Sequence, residues 1–466
     1  MKLHKTLLLK VDEPNKNKLE KLRLTLELYS RVLLFYLDVI PKLGMYRIAS
    51  MSNKEALTFL EKHTVPTKAH PNPEYPVFSG VQTNIRRSAI NKAVGMVKSH
   101  LSNLYNWHKE GKELGHEKPS YPNPKGFALT YYATDVQFEN LMESKSGRPF
   151  VKLKVINEKG QYEFVNYPVK PYRWFYQRLY QLQASGWKLK NTATLIEKNG
   201  VFYVALVLEK RVSRRKVTKP EYLLSVDLNI QRNLACVGIW RLDWRSRQAE
   251  LCGIRFVNGE LTRLCYKRDY LLDELRLKQT LTGRKPEKGD NKHFWEKIRH
   301  LNRDIALKAA SELNKIASGL DGEVLMVFEN LKGLRGKRKK FRKLNRKLNF
   351  WLRKSLVDRV KKLALEHGYS VGFVHPRGTS KRCSRCGAVG GRFSPNGSKA
   401  LFRCPRCGYT VNADVNAVFN IAFLTVSRLL HASGERVPVV TPGVSLKSSC
   451  PEHNLSGASK AAVACV

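Results

Sequence analysis

Acidic residues are scarce in this chain of 466 residues, which has 39 Asp and Glu against 84 Lys and Arg. The resulting net charge of +45 excludes an ordinary balanced surface, because a compact chain with such a surplus repels itself unless a polyanion neutralises it. Nucleic acid is the natural polyanion, since each phosphate that a basic side chain neutralises releases counterions. The composition therefore predicts nucleic-acid binding, with a membrane surface as the weaker alternative.

Long apolar runs are also missing. No run reaches the roughly 18 residues that a membrane-spanning helix needs. The N-terminal residues Met1–Lys5 lead into an alternating segment rather than into the apolar core of a signal sequence. We therefore expect a protein of the prokaryotic cytoplasm or nucleoid, without a membrane partner. Hydrophobic residues still make up 42% of the chain, which is enough for a sizeable core and argues against global disorder.

The nine cysteines show little sign of a disulfide framework, because cytoplasmic thiols stay reduced. Four of them form two Cys-x-x-Cys pairs, each followed by a glycine: Cys383, Cys386, Cys404 and Cys407. This spacing is typical of two zinc knuckles that close one tetrahedral site. Four thiolates leave no open position for a substrate, so we predict a structural Zn²⁺ ion. A redox role is the alternative, which the duplication of the motif disfavours.

Basic residues flank these four ligands, so we expect the zinc ribbon to contact phosphate as well. They are Arg382, Arg385, Arg403 and Arg406.

Several further patterns organise the chain. Alternating apolar residues predict an opening strand with Leu3, Leu7 and Leu9 on one face, and apolar residues at helical period follow from Leu19 to Tyr36. The range 117–215 is predicted to be rich in strands, with a hairpin turn at Asn199–Gly200. A basic stretch over 211–220 ends in proline and predicts a domain boundary.

Aromatic residues alternate with Lys and Arg in the strand-rich range, and core packing is the more frequent role for such residues. Some of them could instead stack on bases. They are Tyr131, Tyr132, Tyr172, Trp174, Phe175 and Trp187.

Two apolar strands end in an acid. Asp227 follows the apolar run that starts at Tyr222, and Glu329 follows Val324–Phe328. A carboxylate beside a buried run needs a partner, because burying an unpaired charge is costly. One such partner is a pair of Mg²⁺ ions, which prefer carboxylate oxygens and support phosphodiester hydrolysis. Spacing alone leaves two alternatives open: Asp227 could cap a turn, and Glu329 could form an ordinary ion pair.

An ordered set of motifs goes beyond these separate signals. In chain order they are Ser225–Asn229, Phe328–Leu331, His375–Lys381, the four-cysteine ribbon and Asp414–Asn416. In this order the chain resembles the TnpB family of transposon-encoded, RNA-guided DNA endonucleases, and the related compact type V CRISPR effectors. The specific resemblance covers residues 222–422, and it departs mildly at Val418–Phe419, where small residues are commoner.

The resemblance implies a multidomain α/β protein. A β-barrel wedge domain would comprise residues 1–15 and 117–215, interrupted by a helical recognition insert at 16–116. A RuvC-like nuclease domain with an RNase H fold would comprise 221–380 and 409–425, and the inserted zinc ribbon at 381–408 would load the target nucleic acid. We expect a loosely ordered tail at 426–466.

The resemblance also implies the site and its partners. The catalytic acids would be Asp227, Glu329 and Asp414, holding two Mg²⁺ ions. The partners would be a guide RNA and a target DNA, either double- or single-stranded, which is cleaved next to a short adjacent motif. We expect a monomer on one RNA, with a dimer as the alternative. Other open readings are a type V CRISPR effector, a strand-transfer transposase, and a nuclease-inactive RNA-guided regulator.

Basic residues are concentrated in one segment after the second acid, and two more lie on a predicted N-terminal helix. We predict that they bind the backbone of the guide RNA or of the heteroduplex. They are Arg335, Lys337, Arg338, Lys339, Lys340, Arg342, Lys343, Arg346, Lys347, Arg86 and Arg87.

Overall fold

The computed structural model describes most of the chain in two compact units, Met1–Arg211 and Val212–Val466, which we treat separately. The division falls where the basic stretch begins. The described residues are 1–113, 115, 117–124, 126–139, 141, 149–213, 217–229, 234–283, 287, 289–331, 353–393 and 400–432. The basic segment predicted to bind nucleic acid at 335–347, and the tail beyond 432, lie outside these residues.

The first unit contains one antiparallel sheet in the order β2-β6-β7-β1-β5-β4-β3. The sheet curls so that edge strand β3 contacts β6, which gives it a near-barrel form. The predicted hairpin is present, with Lys198 opposite Val201 and both turn residues at positive φ. The strands are β1 (Lys2–Val11), β2 (Ala128–Tyr131), β3 (Val136–Glu139), β4 (Phe150–Ile156), β5 (Tyr162–Lys170), β6 (Lys188–Lys198) and β7 (Val201–Arg211).

Helices fill the span between the first two strands. The first begins at a side-chain cap, in which Asn15 Oδ1 accepts a hydrogen bond from the Lys18 backbone N–H at 2.9 Å. Its predicted apolar stripe is buried, with Leu22, Leu33 and Tyr36 at most 1% exposed. These helices are α1 (Lys16–Lys42), α2 (Met45–Ser50), α3 (Asn53–Thr64), α4 (Thr83–Asn106) and a π-helical turn (Trp107–Gly111). A further helix of this unit, α5 (Phe175–Ala184), lies between β5 and β6.

The second unit is built on a five-stranded mixed sheet in the order β10-β9-β8-β11-β12. Strand β9 runs antiparallel to both β10 and β8, while β11 runs parallel to both β8 and β12. A separate three-stranded sheet, β13-β14-β15, carries the cysteines at its ends. The strands are β8 (Tyr222–Leu228), β9 (Ala235–Asp243), β10 (Gln248–Val257), β11 (Val324–Glu329), β12 (Ser370–Val374), β13 (Gly391–Phe393), β14 (Leu401–Arg403) and β15 (Thr410–Asn412).

In the part of this unit that the structure describes, four helices accompany the sheet. The final one continues to Ala432, beyond position 425 where the sequence suggested that the nuclease domain ends. Its stretch Ala413–Leu430 has the length and composition of a membrane span, but 56% of it is buried, because it packs on β8 and β9. The helices are α6 (Glu260–Leu281), α7 (Lys292–Ser318), α8 (Arg353–His367) and α9 (Ala413–Ala432).

Some local predictions missed elements. Strands β9 and β10 and helix α6 were not predicted between the first acid and α7, and α5 interrupts the strand-rich range. Some of the aromatic residues of the strand-rich range pack in the core and others do not. Tyr131, Phe175 and Trp187 are buried, whereas Trp174 and Tyr172 are exposed.

Two of the predicted nucleic-acid contacts have internal partners. Arg86 and Arg87 both pair with Glu61, at 3.2 Å and 3.0 Å. Arg87 makes the pair through two of its nitrogens, with its Nη2 donating to the second carboxylate oxygen. A phosphate would therefore have to compete with Glu61 for both side chains.

Candidate active site and metal centre

The three acids lie on neighbouring elements of the second unit. Asp227 is the penultimate residue of β8 and Glu329 is the last residue of β11. These strands are parallel, with Val226 opposite Phe328, so both acids emerge at the same edge of the sheet. Asp414 is in the first turn of α9, which packs on β8, β9 and β11. The structure thus brings together the acids that the sequence separates by up to 187 residues, the difference between positions 414 and 227.

The electrostatics of Asp227 show that the three carboxylates act on each other. The pKa of Asp227 is raised to about 8, first by burial and then by the nearby charges of Glu329 and Asp414. Burial also raises the pKa of Glu329, while the Thr379 hydroxyl and the Arg392 guanidinium oppose that rise. The protein's own positive charges and hydrogen-bond donors therefore do not fully stabilise the negative charge of these carboxylates.

Two carboxylate oxygens in this cluster are buried without a hydrogen-bond partner. They are Asp227 Oδ2 and Glu329 Oε1. The Asp227 residue as a whole is only 5% exposed, so water has little access to its carboxylate. An unsatisfied buried acceptor costs roughly 1–3 kcal/mol, so natural proteins seldom keep one without a use. Hard oxygen donors of this kind suit a Mg²⁺ ion, whose charge would repay the burial.

A cation of the chain itself already reaches this cluster. Arg392 lies on β13 of the ribbon, and its Nη2 is 3.3 Å from Asp414 Oδ1. The same guanidinium lowers the pKa of both Asp227 and Glu329. Sequence reasoning did not select Arg392, because nothing in its local spacing distinguishes it from the other ribbon arginines.

The position of Asp414 is fixed by the start of α9. The Asn412 side-chain oxygen accepts hydrogen bonds from the backbone N–H groups of Asp414 at 2.9 Å and Val415 at 3.4 Å. This is an N-terminal cap, and it satisfies donors that a helix start would otherwise leave unpaired. An acid in the first turn is also favoured by the helix dipole.

The packing of α9 on the sheet depends on a glycine. A Cβ at Gly238 on β9 would overlap Val418 Cγ1 and would lie 2.8 Å from Trp240 Nε1. The Trp240 ring is held from two sides: its Nε1 donates to Ser225 Oγ at 2.8 Å, and its face meets the edge of Phe419. The pair Val418–Phe419 is bulkier than is common in the resembled family. It fits here because Gly238, which faces Val418, has no side chain.

Two asparagines on α9 bind the first cysteine knuckle. The Asn416 oxygen accepts from the Ser384 backbone N–H at 3.0 Å, and its amide nitrogen donates to the Arg382 carbonyl at 2.8 Å. One turn later, the Asn420 amide donates to the carbonyls of Thr379 and Arg382. Asn416 is fully buried. The knuckle and the helix that carries Asp414 are thus joined by four side-chain hydrogen bonds.

The four predicted zinc ligands converge. Their sulfur atoms all lie within 4.8 Å of one another, with Cys383 and Cys407 Sγ 3.7 Å apart and Cys386 and Cys404 Sγ 3.5 Å apart. A tetrahedron with Zn–S bonds of about 2.3 Å has edges of roughly 3.8 Å, so the thiols fit Zn²⁺.

Backbone groups prepare at least one of these sulfurs for a metal. Although burial opposes ionisation of Cys404, the backbone N–H groups of Cys407 and Arg406 and the neighbouring thiols lower its pKa to about 6. A thiolate is the form that binds zinc. Among the described residues, the four cysteines form a group of ligand atoms close enough to share one metal ion.

Family models match two parts of the chain. Residues 5–157 match the Aq_aa04 family, and residues 354–421 match the Cas12f1-like TNB domain. The second match spans α8, β12, the ribbon and the first part of α9, and so includes all four cysteines, Arg392 and Asp414.

Individual relatives extend these matches. A Cas12f1 CRISPR-associated endodeoxyribonuclease of Sulfoacidibacillus thermotolerans is 36% identical over 91 residues, which is 19% of this chain and 21% of that protein. A cryo-EM structure of a Cas12f1–sgRNA–target DNA complex covers 90% of this chain and 99% of that chain, at a TM-score of 0.48 and 15% identity. A TnpB-like protein of Aquifex aeolicus is 55% identical over 289 residues, which is 61% of this chain and 94% of that protein. With this identity over nearly the whole relative, the chain belongs to the TnpB-like proteins.

Proposed function

We propose that the chain is an RNA-guided DNA endonuclease that cleaves its target through Asp227, Glu329 and Asp414. The observation that carries the proposal is the convergence of three carboxylates on one sheet edge, with buried oxygens that the protein leaves unpaired. The match of residues 354–421 to a Cas12f1-like domain, and the similarity of part of the chain to a Cas12f1 endodeoxyribonuclease, support the same chemistry.

The architecture of the second unit supports an RNase H fold of the RuvC kind. Its mixed sheet has an antiparallel β10-β9-β8 half and a parallel β11-β12 half, with acids at the ends of the two central strands, β8 and β11. The near-barrel sheet of the first unit, interrupted by helices after β1, supports a wedge domain with a recognition insert. We propose that the ribbon loads the target nucleic acid.

The acids would hold Mg²⁺ and orient the scissile phosphate. Asp227 Oδ2 and Glu329 Oε1 are the oxygens available for a cation, and Asp414 is fixed beside them by its helix cap. Bound Mg²⁺ would activate water and stabilise the leaving 3′ oxygen. Together the three carboxylates could supply ligands for the two Mg²⁺ ions that phosphodiester hydrolysis of this kind uses.

Arg392 would act on the same phosphate. A guanidinium makes strong paired hydrogen bonds with phosphate oxygens. Its present contact with Asp414 is a single 3.3 Å approach from a side chain that is 37% exposed, so a phosphate can displace it. We assign Arg392 to binding the scissile phosphate and to balancing charge that develops on it.

The cysteine cluster would hold one structural Zn²⁺, and the remaining contacts would be made by basic surface. We propose that the segment 335–347 binds the backbone of the guide RNA. A solvated surface segment normally carries charges of both signs, whereas this segment contains no acidic residue. We propose a monomer on one RNA in the cytoplasm.

Reprogramming the guide tests RNA direction. The RNA that copurifies with the protein is sequenced and its terminal guide portion is replaced. We expect cleavage to move to a DNA that matches the new guide, next to an unchanged adjacent motif. Cleavage that ignores the guide, or an absence of specific RNA, contradicts the proposal. Strand transfer of transposon ends without RNA would favour a transposase.

The similarity to Cas12f1 favours one second candidate, a compact CRISPR effector. The chemistry and the site would be the same, and the source of the guide would differ. A repeat array beside the gene would identify the effector, whereas transposon ends would identify the mobile-element enzyme.

A further inference from the structure

A cavity of about 690 Å³ lies between the cysteine knuckles and α9. Its walls come from the turn after β12, the two knuckles and one side of the helix. Among the residues that the structure describes, its lining includes no acid and four arginines: Arg377, Arg382, Arg385 and Arg406. A cavity with this lining attracts an anion, and its volume is within the range of pockets that hold small organic ligands.

Three of these arginines have free side chains. Within the described part of the chain, the side chains of Arg377, Arg385 and Arg406 have neither an ion pair nor a hydrogen bond. The knuckle arginines contact the cysteine sulfurs through backbone N–H groups only. Their guanidinium groups are therefore available to a phosphate, whose oxygens pair with the guanidinium fork.

The opposite wall is aromatic and apolar. Phe419 and Phe423 are one turn apart on α9, and Tyr409 and Leu424 complete the surface. The Phe419 ring is anchored against Trp240, with ring centres 4.9 Å apart. An unpaired base offers a flat face that stacks on such a surface, whatever its sequence.

The cavity adjoins the acid cluster through one residue. Thr379 lines the cavity and is 1% exposed, and its hydroxyl contacts the carboxylate of Glu329. Thr379 is therefore shared by the lining of the cavity and the surroundings of Glu329. Paired DNA would not present a base to the aromatic wall, whereas a single strand would.

We propose that this cavity is a single-nucleotide pocket that holds an unpaired nucleotide of the DNA strand delivered to the acids. The arginines bind its phosphate, and the aromatic wall stacks on its base. The choice of DNA rests on the proposed endonuclease function. The pocket itself is defined by residues that take no part in holding Mg²⁺.

Photocrosslinking to the full-length protein tests the pocket. The probe is a short single-stranded DNA with one bromodeoxyuridine, and crosslinked peptides are identified by mass spectrometry. We expect crosslinks at Tyr409 or Phe423. The double variant Arg385→Gln with Arg406→Gln should reduce them about tenfold, because a phosphate loses two guanidinium partners. Arg276→Gln, an equally exposed arginine on α6, is the matched control and should change nothing.

A second pair of variants isolates the stacking wall. Phe423→Leu keeps apolar volume and removes the ring, so the crosslink at Tyr409 should fall. Phe423→Tyr restores a ring and should restore it. Zinc content verifies that each variant is folded. Crosslinks that map outside the cavity, or that persist in the double arginine variant, overturn the pocket. A stronger crosslink in the cavity from the equivalent bromouridine RNA overturns the assignment to DNA.

Guide-directed cleavage by the same proteins separates the two proposals. A wild-type protein that cleaves without any crosslink in the cavity refutes the pocket and leaves the endonuclease standing. A protein that crosslinks in the cavity but cleaves nothing under guide control refutes the endonuclease and leaves the pocket.

Discussion

At the scale of single residues, the candidate site depends on one buried acid. Asp227 is held in an environment that opposes its charge, first by burial and then by Glu329 and Asp414. The strand position and the acid type were visible in the sequence. The degree of burial and the mutual influence of the acids were not, because they depend on how β11 and α9 approach β8.

This environment predicts a pH dependence for the Mg²⁺-free, zinc-loaded protein. The native pKa of Asp227 is about 8 against an ordinary 3.8, so between these values the native state holds a proton that the unfolded state has lost. Its contribution to stability is complete below the lower value and is lost as the pH rises through the upper one, by at most about 1.4 kcal/mol per pH unit. Asp227→Asn should flatten this decline. Urea unfolding near pH 6 and about pH 8.5 measures it.

The control for that experiment is Asp304→Asn, which changes an exposed acid on α7. It should retain the wild-type decline in unfolding free energy with pH. An equal decline in wild type and Asp227→Asn would show that Asp227 titrates near its ordinary pKa and that the acid cluster is not coupled as described.

Arg392 gives a second prediction at this scale. Arg392→Gln keeps a polar side chain but removes the charge beside Asp414, so guide-directed cleavage should fall by about 10²-fold or more while target binding persists. Arg276→Gln is the matched control, an exposed arginine on α6 that lies outside the ribbon. Equal cleavage rates for Arg392→Gln and wild type, measured in single turnover, would remove Arg392 from the site.

At the scale of elements, helix α9 connects the sheet that carries Asp227 and Glu329 with Asp414 and the cysteine ribbon. It packs on the sheet through Gly238 and Trp240 and carries Asp414 at its first turn. The same helix binds the first knuckle through Asn416 and Asn420. The cysteine ribbon and the third acid are therefore parts of one hydrogen-bonded assembly.

The tight contact at Gly238 predicts a steric effect. Gly238→Ala should destabilise the second unit by about 1–3 kcal/mol, since the new methyl group overlaps Val418. Combining it with Val418→Ala should recover much of that loss by opening space opposite the methyl group. Thermal unfolding measures both variants. A Gly238→Ala protein as stable as wild type would show that α9 is not held as closely as described.

The asparagine contacts predict a link between zinc and the helix. Asn416→Ala removes both bonds to the first knuckle, so zinc should be released to a chelator faster than from wild type, and stability should fall by about 1–3 kcal/mol. Asn91→Ala, an exposed asparagine on α4 in the first unit, is the control. Identical zinc release from Asn416→Ala and wild type would separate the ribbon from α9.

At the scale of the whole molecule, the net charge of +45 predicts nucleic acid as the class of partner. The order of the motifs along the chain indicates the family. The order of acids and cysteines was readable because strand-end acids and Cys-x-x-Cys pairs have fixed chemistry. Strands β9 and β10 were missed because mixed patterning over 235–257 gives no clear period. Arg392 was missed because its role is defined only by the fold of the ribbon against Asp414.

The charge predicts how RNA binding responds to salt. Replacing several basic residues of 335–347 by Gln should weaken binding to all RNA sequences and reduce the slope of log affinity against log salt by about one per lost phosphate contact. Filter binding over a salt series measures this slope. An unchanged slope would show that the segment does not contact the RNA backbone.

The central claim is that Asp227, Glu329 and Asp414 form one Mg²⁺-dependent nuclease site directed by RNA. The most direct measurement is guide-programmed cleavage of matched DNA by Asp227→Asn, with target binding measured in the same samples and Asp304→Asn as control. We predict that cleavage is abolished in Asp227→Asn, that binding to the matched DNA is retained, and that the control cleaves like wild type. Guide-programmed cleavage that persists in Asp227→Asn would contradict the assignment of the site.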